Sequence, residues 1–182
     1  MSRKTNFVFK VLQVVSWIIF VGLCIQAGGF IFNTVFTLLL NPAGASKFWT
    51  EVDLAALYQF NQSHYVTLTV LMCIVAVLKS LLFFNIVQVL HHNKINLERP
   101  FNQFLAKFIL TIALFAFGIG LFAYWGKGFT KFLLEQDIKM PDAADLSFGG
   151  GDVWWFMAVI LLIIAQIIKK GIAMQQENEL TI

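Results

Sequence analysis

Lys79 is the one formal charge set deep inside a long apolar run, Tyr65 to Leu90. An ammonium in hydrocarbon brings three donors and no acceptor, so it can bind an anion, act as a gating charge, or satisfy itself on a nearby backbone carbonyl. At the centre of a membrane helix a lysine costs about 2.5 to 3.5 kcal/mol, and each flanking Leu, Ile, Val or Phe returns about 0.3 to 0.6 kcal/mol. The apolar neighbours from Val70 to Val87 offset that penalty. Lys79 falls about 18 Å from the inner end of its helix at 1.5 Å per residue. Helical side chains lean toward the helix N-terminus, which brings the ammonium toward the level of Gln26 in the first apolar run. Lys79 and Gln26 are therefore the intramembrane polar candidates. No carboxylate lies within any apolar run to complete a proton relay.

The remaining reactive side chains do not converge. His91 and His92 are adjacent, so on a helix they point to different sides, and no third ligand lies nearby; they and His64 read as interfacial packing groups. Cys24 and Cys73 sit in apolar runs without CxxC spacing, as small buried hydrophobes. Ser, His and Asp residues fall at incompatible depths, which leaves a hydrolase triad without support. The expectation is a chain without enzymatic activity, metal or cofactor. The Asn61-Gln62-Ser63 sequon has meaning only in a eukaryotic lumen. A net charge of +3, dispersed along the chain, gives no footprint for direct nucleic-acid binding.

The elements that must position Lys79 follow from the chain's oil content. Of 182 residues, 59% are hydrophobic and 13% charged, more than a water-soluble fold can hide. A bilayer core takes about 20 apolar residues as helix. Four segments qualify within a single domain, 1-182: residues 7-32, extending to 40 if Gly28 and Gly29 bend the helix instead of stopping it; 65-90; 103-125, opened by Pro100 and Asn102; and 153-168, completed by snorkelling of Lys169 and Lys170. The first lacks any charge from Val11 to Ser46, too long for a cleaved secretory signal.

Basic residues set the direction. Arg3, Lys4, Lys10, Lys94, Arg99, Lys107, Lys169 and Lys170 fall on one side, against Lys47, Lys127, Lys131 and Lys139 on the other, so both termini are expected in the cytoplasm. Trp49, Trp125, Trp154 and Trp155 then gather at the outer interface. The expected fold is an all-α, four-transmembrane-helix bundle with short amphipathic helices in the outer loops, 41-64 and 126-152. In the first loop Thr50 and Asp53 have capping-box spacing ahead of Leu54, Leu57 and Tyr58. In the second, the Gly149-Gly150-Gly151 run reads as a flexible hinge. An inner loop, 91-102, and a cytoplasmic tail, 169-182, complete the chain.

Ala116 and Gly120 form a small-xxx-small pattern that admits close helix contact, within the bundle or between two copies as a homodimer; Gly22 and Ala27 lighten the first helix in the same way. The tail ends in a polar run, Gln175, Gln176, Glu177, Asn178 and Glu179, before Leu180-Thr181-Ile182. That run is a solvated helix end or a docking segment for a soluble partner.

The tail's Gln-x-Glu-Asn-acidic-Leu-Thr pattern, the Trp17-Ile18-Ile19-Phe20 stretch and Pro100-Phe101 followed by a polar helix-start residue together resemble the bacterial membrane proteins of domain of unknown function 2975. The resemblance runs along nearly the whole chain. It implies a multi-pass protein of the bacterial inner membrane, often encoded beside a small helix-turn-helix regulator. Two functions follow: a sensor or anchor that holds such a regulator through Gln175, Gln176, Glu177, Asn178, Glu179 and Leu180, or a small transporter or channel using Lys79 for an anionic or amphiphilic solute.

Overall fold

A computed structural model describes residues 3-50, 52-91 and 102-179. It contains four long helices: α1 (Arg3–Leu39), α3 (Gln62–His91), α4 (Gln103–Leu134) and α5 (Gly151–Glu179). All four are long and apolar enough to cross a membrane. A 3-10 helix (Pro42–Lys47) and the short α2 (Ala55–Phe60) connect α1 to α3. The chain thus forms two ends, one carrying the loops 40-61 and 135-150, the other carrying the termini.

Local chemistry explains most boundaries. Asn102 has extended backbone and its side chain accepts the Leu105 N–H at 2.7 Å, the N-cap expected for α4. Asn61 caps α3 in the same manner, accepting from Ser63 N–H at 2.8 Å. Asp53 accepts from Ala55 N–H at 2.8 Å, so α2 starts with an Asx turn instead of the expected Thr50–Asp53 box. Gly28 and Gly29 neither stop nor interrupt α1. The ring of Trp49 lies where a side chain on Gly29 would be, and α1 runs on to Leu39.

All four helices exceed the expected spans, α4 and α5 by the most. α4 continues from 125 to Leu134 because Thr130 and Leu133 are buried; the stretch assigned to the outer loop belongs to its last turns. α5 continues past Lys169 and Lys170 to Glu179, making the first part of the tail helical.

The helices pack side by side in the order α1, α3, α4, α5, and among the described residues α1 makes no close backbone approach to α4 or α5. This is an open row, where a closed bundle would bring α5 back to α1. Ala27, Phe30, Thr34 and Thr37 form the buried stripe of α1 at helical spacing. Ile18, Ile25, Phe32 and Leu39 form its exposed stripe, each more than 60% accessible. Without a hydrophobic force between helices in lipid, close approach rests on small residues. Ala116 is buried in the core, and a Cβ on Gly120 would overlap the Trp155 indole, so both are used inside the row. Gly22 faces open space.

Candidate functional site

The most fully buried side chains gather at the loop end. Phe48, Leu54, Leu57, Leu133, Leu146 and Phe148 are all at most 1% accessible, joined by Tyr65, Leu68 and Met72 of α3. Rings interlock there: Phe30 with Trp49 at 5.5 Å, and Tyr58 with Tyr65 at 5.2 Å, both edge to face. His64 packs among Phe60, Phe129 and Phe132, in keeping with a structural role.

Into this end the loop 135-150 delivers one polar corner. The Phe148 N–H donates to Ala143 C=O at 2.8 Å and the Ser147 N–H to Ala144 C=O at 3.0 Å. That is the paired bonding of a Schellman turn, with Ser147 at the left-handed position, φ 67°. The same pattern ends α4: Ile138 donates to Leu133 and Asp137 to Leu134, with Asp137 at φ 60°. Phe148 then seats on Gly126 of α4, where any Cβ would overlap its ring. Of the triple-glycine run, expected as a hinge, Gly149 abuts Ala144 and Gly151 already begins α5, while Gly150, at φ 71°, faces open space.

Ser147 is where the two intramembrane candidates meet. Lys79 Nζ donates to its carbonyl at 3.0 Å, and Gln26 Nε2 donates to its Oγ at 2.9 Å. The expected approach of Lys79 to the level of Gln26 is therefore realised through a third residue. Lys79 and Gln26 are half-buried, Ser147 is 6% accessible, and the contacts bridge 68 and 121 residues of sequence. Among the described residues no carboxylate pairs with Lys79 within 4 Å; Lys131 and Glu135 pair at 3.9 Å. A third helix-borne amide acts similarly: Asn33 Nδ2 donates to Phe48 C=O at 2.8 Å and ties α1 to the first loop.

Sequence reasoning missed Ser147 and Asn33. Asn33 carried a usable signal, a lone amide in an apolar helix. Ser147 carried none, since a serine in a polar loop is ordinary until the fold sets it beneath two helices.

The other candidates stay apart. Cys24 is exposed, whereas Cys73 is half-buried beside Thr34. His91 stands 3.0 Å from Gln13 at the terminus end. His92, Pro100 and Leu180 lie outside the described residues. Gln175, Gln176 and Glu177 extend along the end of α5, and α5 includes Asn178 and Glu179.

An all-helical chain with four membrane-length helices, three of whose polar side chains, Gln26, Asn33 and Lys79, are bonded to loop atoms, has the architecture of a multi-pass membrane protein. The profile of the family described as "protein of unknown function (DUF2975)" matches residues 49-182, and the chain belongs to that family. The match covers α3, α4, α5 and Ser147 and leaves α1, with Gln26, outside it. No curated protein and no solved structure matches at a significant level.

Proposed function

We propose that this protein is a non-enzymatic sensor or anchor of the bacterial inner membrane, in which the loop end responds to the outside and the α5 tail engages a cytoplasmic partner. One observation carries the reading: Gln26 and Lys79, half-buried on different helices, both end on Ser147 of the loop preceding α5. A transport site keeps its charged group available to solute. Here the ammonium is committed to a backbone carbonyl, a latch between loop and helices. The excess of basic residues on the terminus side supports cytoplasmic termini. The polar run Gln175 to Glu179 suits a soluble partner, and family resemblance suggests a small helix-turn-helix regulator.

Two measurements test this reading. Lys79→Met with Gln26→Leu should leave the helices intact and speed amide exchange at 142-151 by about tenfold, the equivalent of one lost charge-assisted bond. Unchanged exchange there would show that the latch holds nothing. A regulator encoded beside the gene should co-purify with the full chain and not with one truncated after Met174. Equal recovery from both would remove the tail from the mechanism.

A further inference from the structure

Next to the Ser147 corner, the last turns of α4, the loop from Met140 and the start of α5 line a half-open cleft of about 720 Å³, its charged residues exposed. Its size falls within the usual range for small-molecule sites. Its charges are arranged by sign. Lys127 and Lys131 stand one turn apart on α4, and Asp142 and Asp152 come from the loop and from α5. Neither lysine pairs with either aspartate within 4 Å, so both signs of charge line the cleft without an ion pair between them. Lys131 instead touches Glu135, both side chains being 79% and 66% accessible, a contact worth little in water.

The same lining carries apolar side chains, Leu134, Met140 and Phe148. Tyr124, also on the wall, stacks on Trp155 at 5.6 Å, the kind of aromatic pair that settles at headgroup depth. A net anion would leave the aspartates opposed to it, and a net cation the lysines. A head bearing one charge of each sign satisfies both sets, and an attached acyl chain satisfies the wall.

We propose that this cleft binds a zwitterionic amphiphile, with its phosphate on Lys127 and Lys131 and its ammonium on Asp142 and Asp152. The signalling consequence rests on the sensor reading; the binding does not. Ala143 and Phe148 line the cleft and are also the two ends of the hydrogen bond that closes the Ser147 turn. A bound head therefore bears on the residue that receives Gln26 and Lys79.

Calorimetry on the detergent-purified full chain tests the site with dihexanoyl phosphatidylethanolamine, dihexanoyl phosphatidylglycerol and free phosphoethanolamine. The first should saturate one site, and the other two should bind about tenfold more weakly. Lys127→Ala with Lys131→Ala, and separately Asp142→Asn with Asp152→Asn, should each weaken the first ligand about tenfold without changing the melting temperature. Equal affinity for phosphatidylglycerol, equal affinity for the bare headgroup, or undiminished binding by either double variant overturns the proposal. Amide exchange at 142-151, recorded with and without the lipid, separates the two readings. Binding with unaltered exchange keeps the site and removes the sensor; absent binding removes the site and leaves the latch to its own test.

Discussion

The two ends of this molecule are built on different principles. The loop end is assembled like the interior of a soluble domain, with fully buried Leu54, Leu57, Leu146 and Phe148, two Schellman turns, and side chains of α1 and α3 hydrogen-bonded to loop atoms. Toward the termini the helices are scarcely covered by one another. No described side chain of α1 before Ser16 is buried, and the terminus-side core reduces to residues such as Val87, Val89, Ala106 and Ile168. The contrast follows from the solvent each end meets. Where the loop end meets water its apolar side chains must be covered by protein, whereas the apolar surface of a regular helix, whose backbone satisfies itself, can be left to lipid.

The contrast can be broken most directly by matched truncations. Leu146→Ala should lower stability in detergent by about 3 kcal/mol, because a fully enclosed leucine leaves a cavity behind. Ile167→Ala, at a position 60% accessible on α5, should change it by less than about 0.5 kcal/mol. Equal losses in denaturant titrations would show that both ends are packed alike.

A finer probe compares two substitutions of one residue. Ser147→Ala keeps a side chain in the left-handed region and removes the acceptor of Gln26, while Ser147→Gly removes the same acceptor and relieves the backbone. The glycine variant should be the more stable by about 1.5 kcal/mol in paired thermal melts. Equal melting would mean that the turn holds no strain.

The smallest effect belongs to the terminus end. Asn102→Ala should cost about 1 kcal/mol by removing the cap of α4. That cost should register as faster amide exchange confined to the first turns of α4, since little packing links that end to the rest. Faster exchange reaching the loop end would show that the two ends unfold together.

Much of this plan was legible in the residues, and the unread parts share a cause. Hydropathy and charge located the four long helices, and Asn102 announced the start of α4. Lys79 and Gln26 were singled out because a polar group in an apolar helix has to be satisfied somewhere. Their partner was invisible, because Ser147 lies 68 and 121 residues away and its suitability comes from a turn geometry that no local pattern encodes. The ends of α4 and α5 were placed too early for a related reason. Hydropathy reports where lipid stops, and these helices continue beyond that depth, α4 into the buried loop-end core and α5 as a polar extension. The open order of helices was likewise not a sequence property, as apolar faces do not name their neighbours when lipid is an equal one.

α5 begins four residues after Ser147 and continues without interruption through 29 residues to Glu179. Such a rod is about 43 Å long at 1.5 Å per residue, so a swivel of about 5° at Gly151 would carry its far tip roughly 4 Å. A displacement too small to disturb packing at the serine is thereby magnified into one of several ångströms at the opposite end of the molecule, with no break in the helix along the way to absorb it.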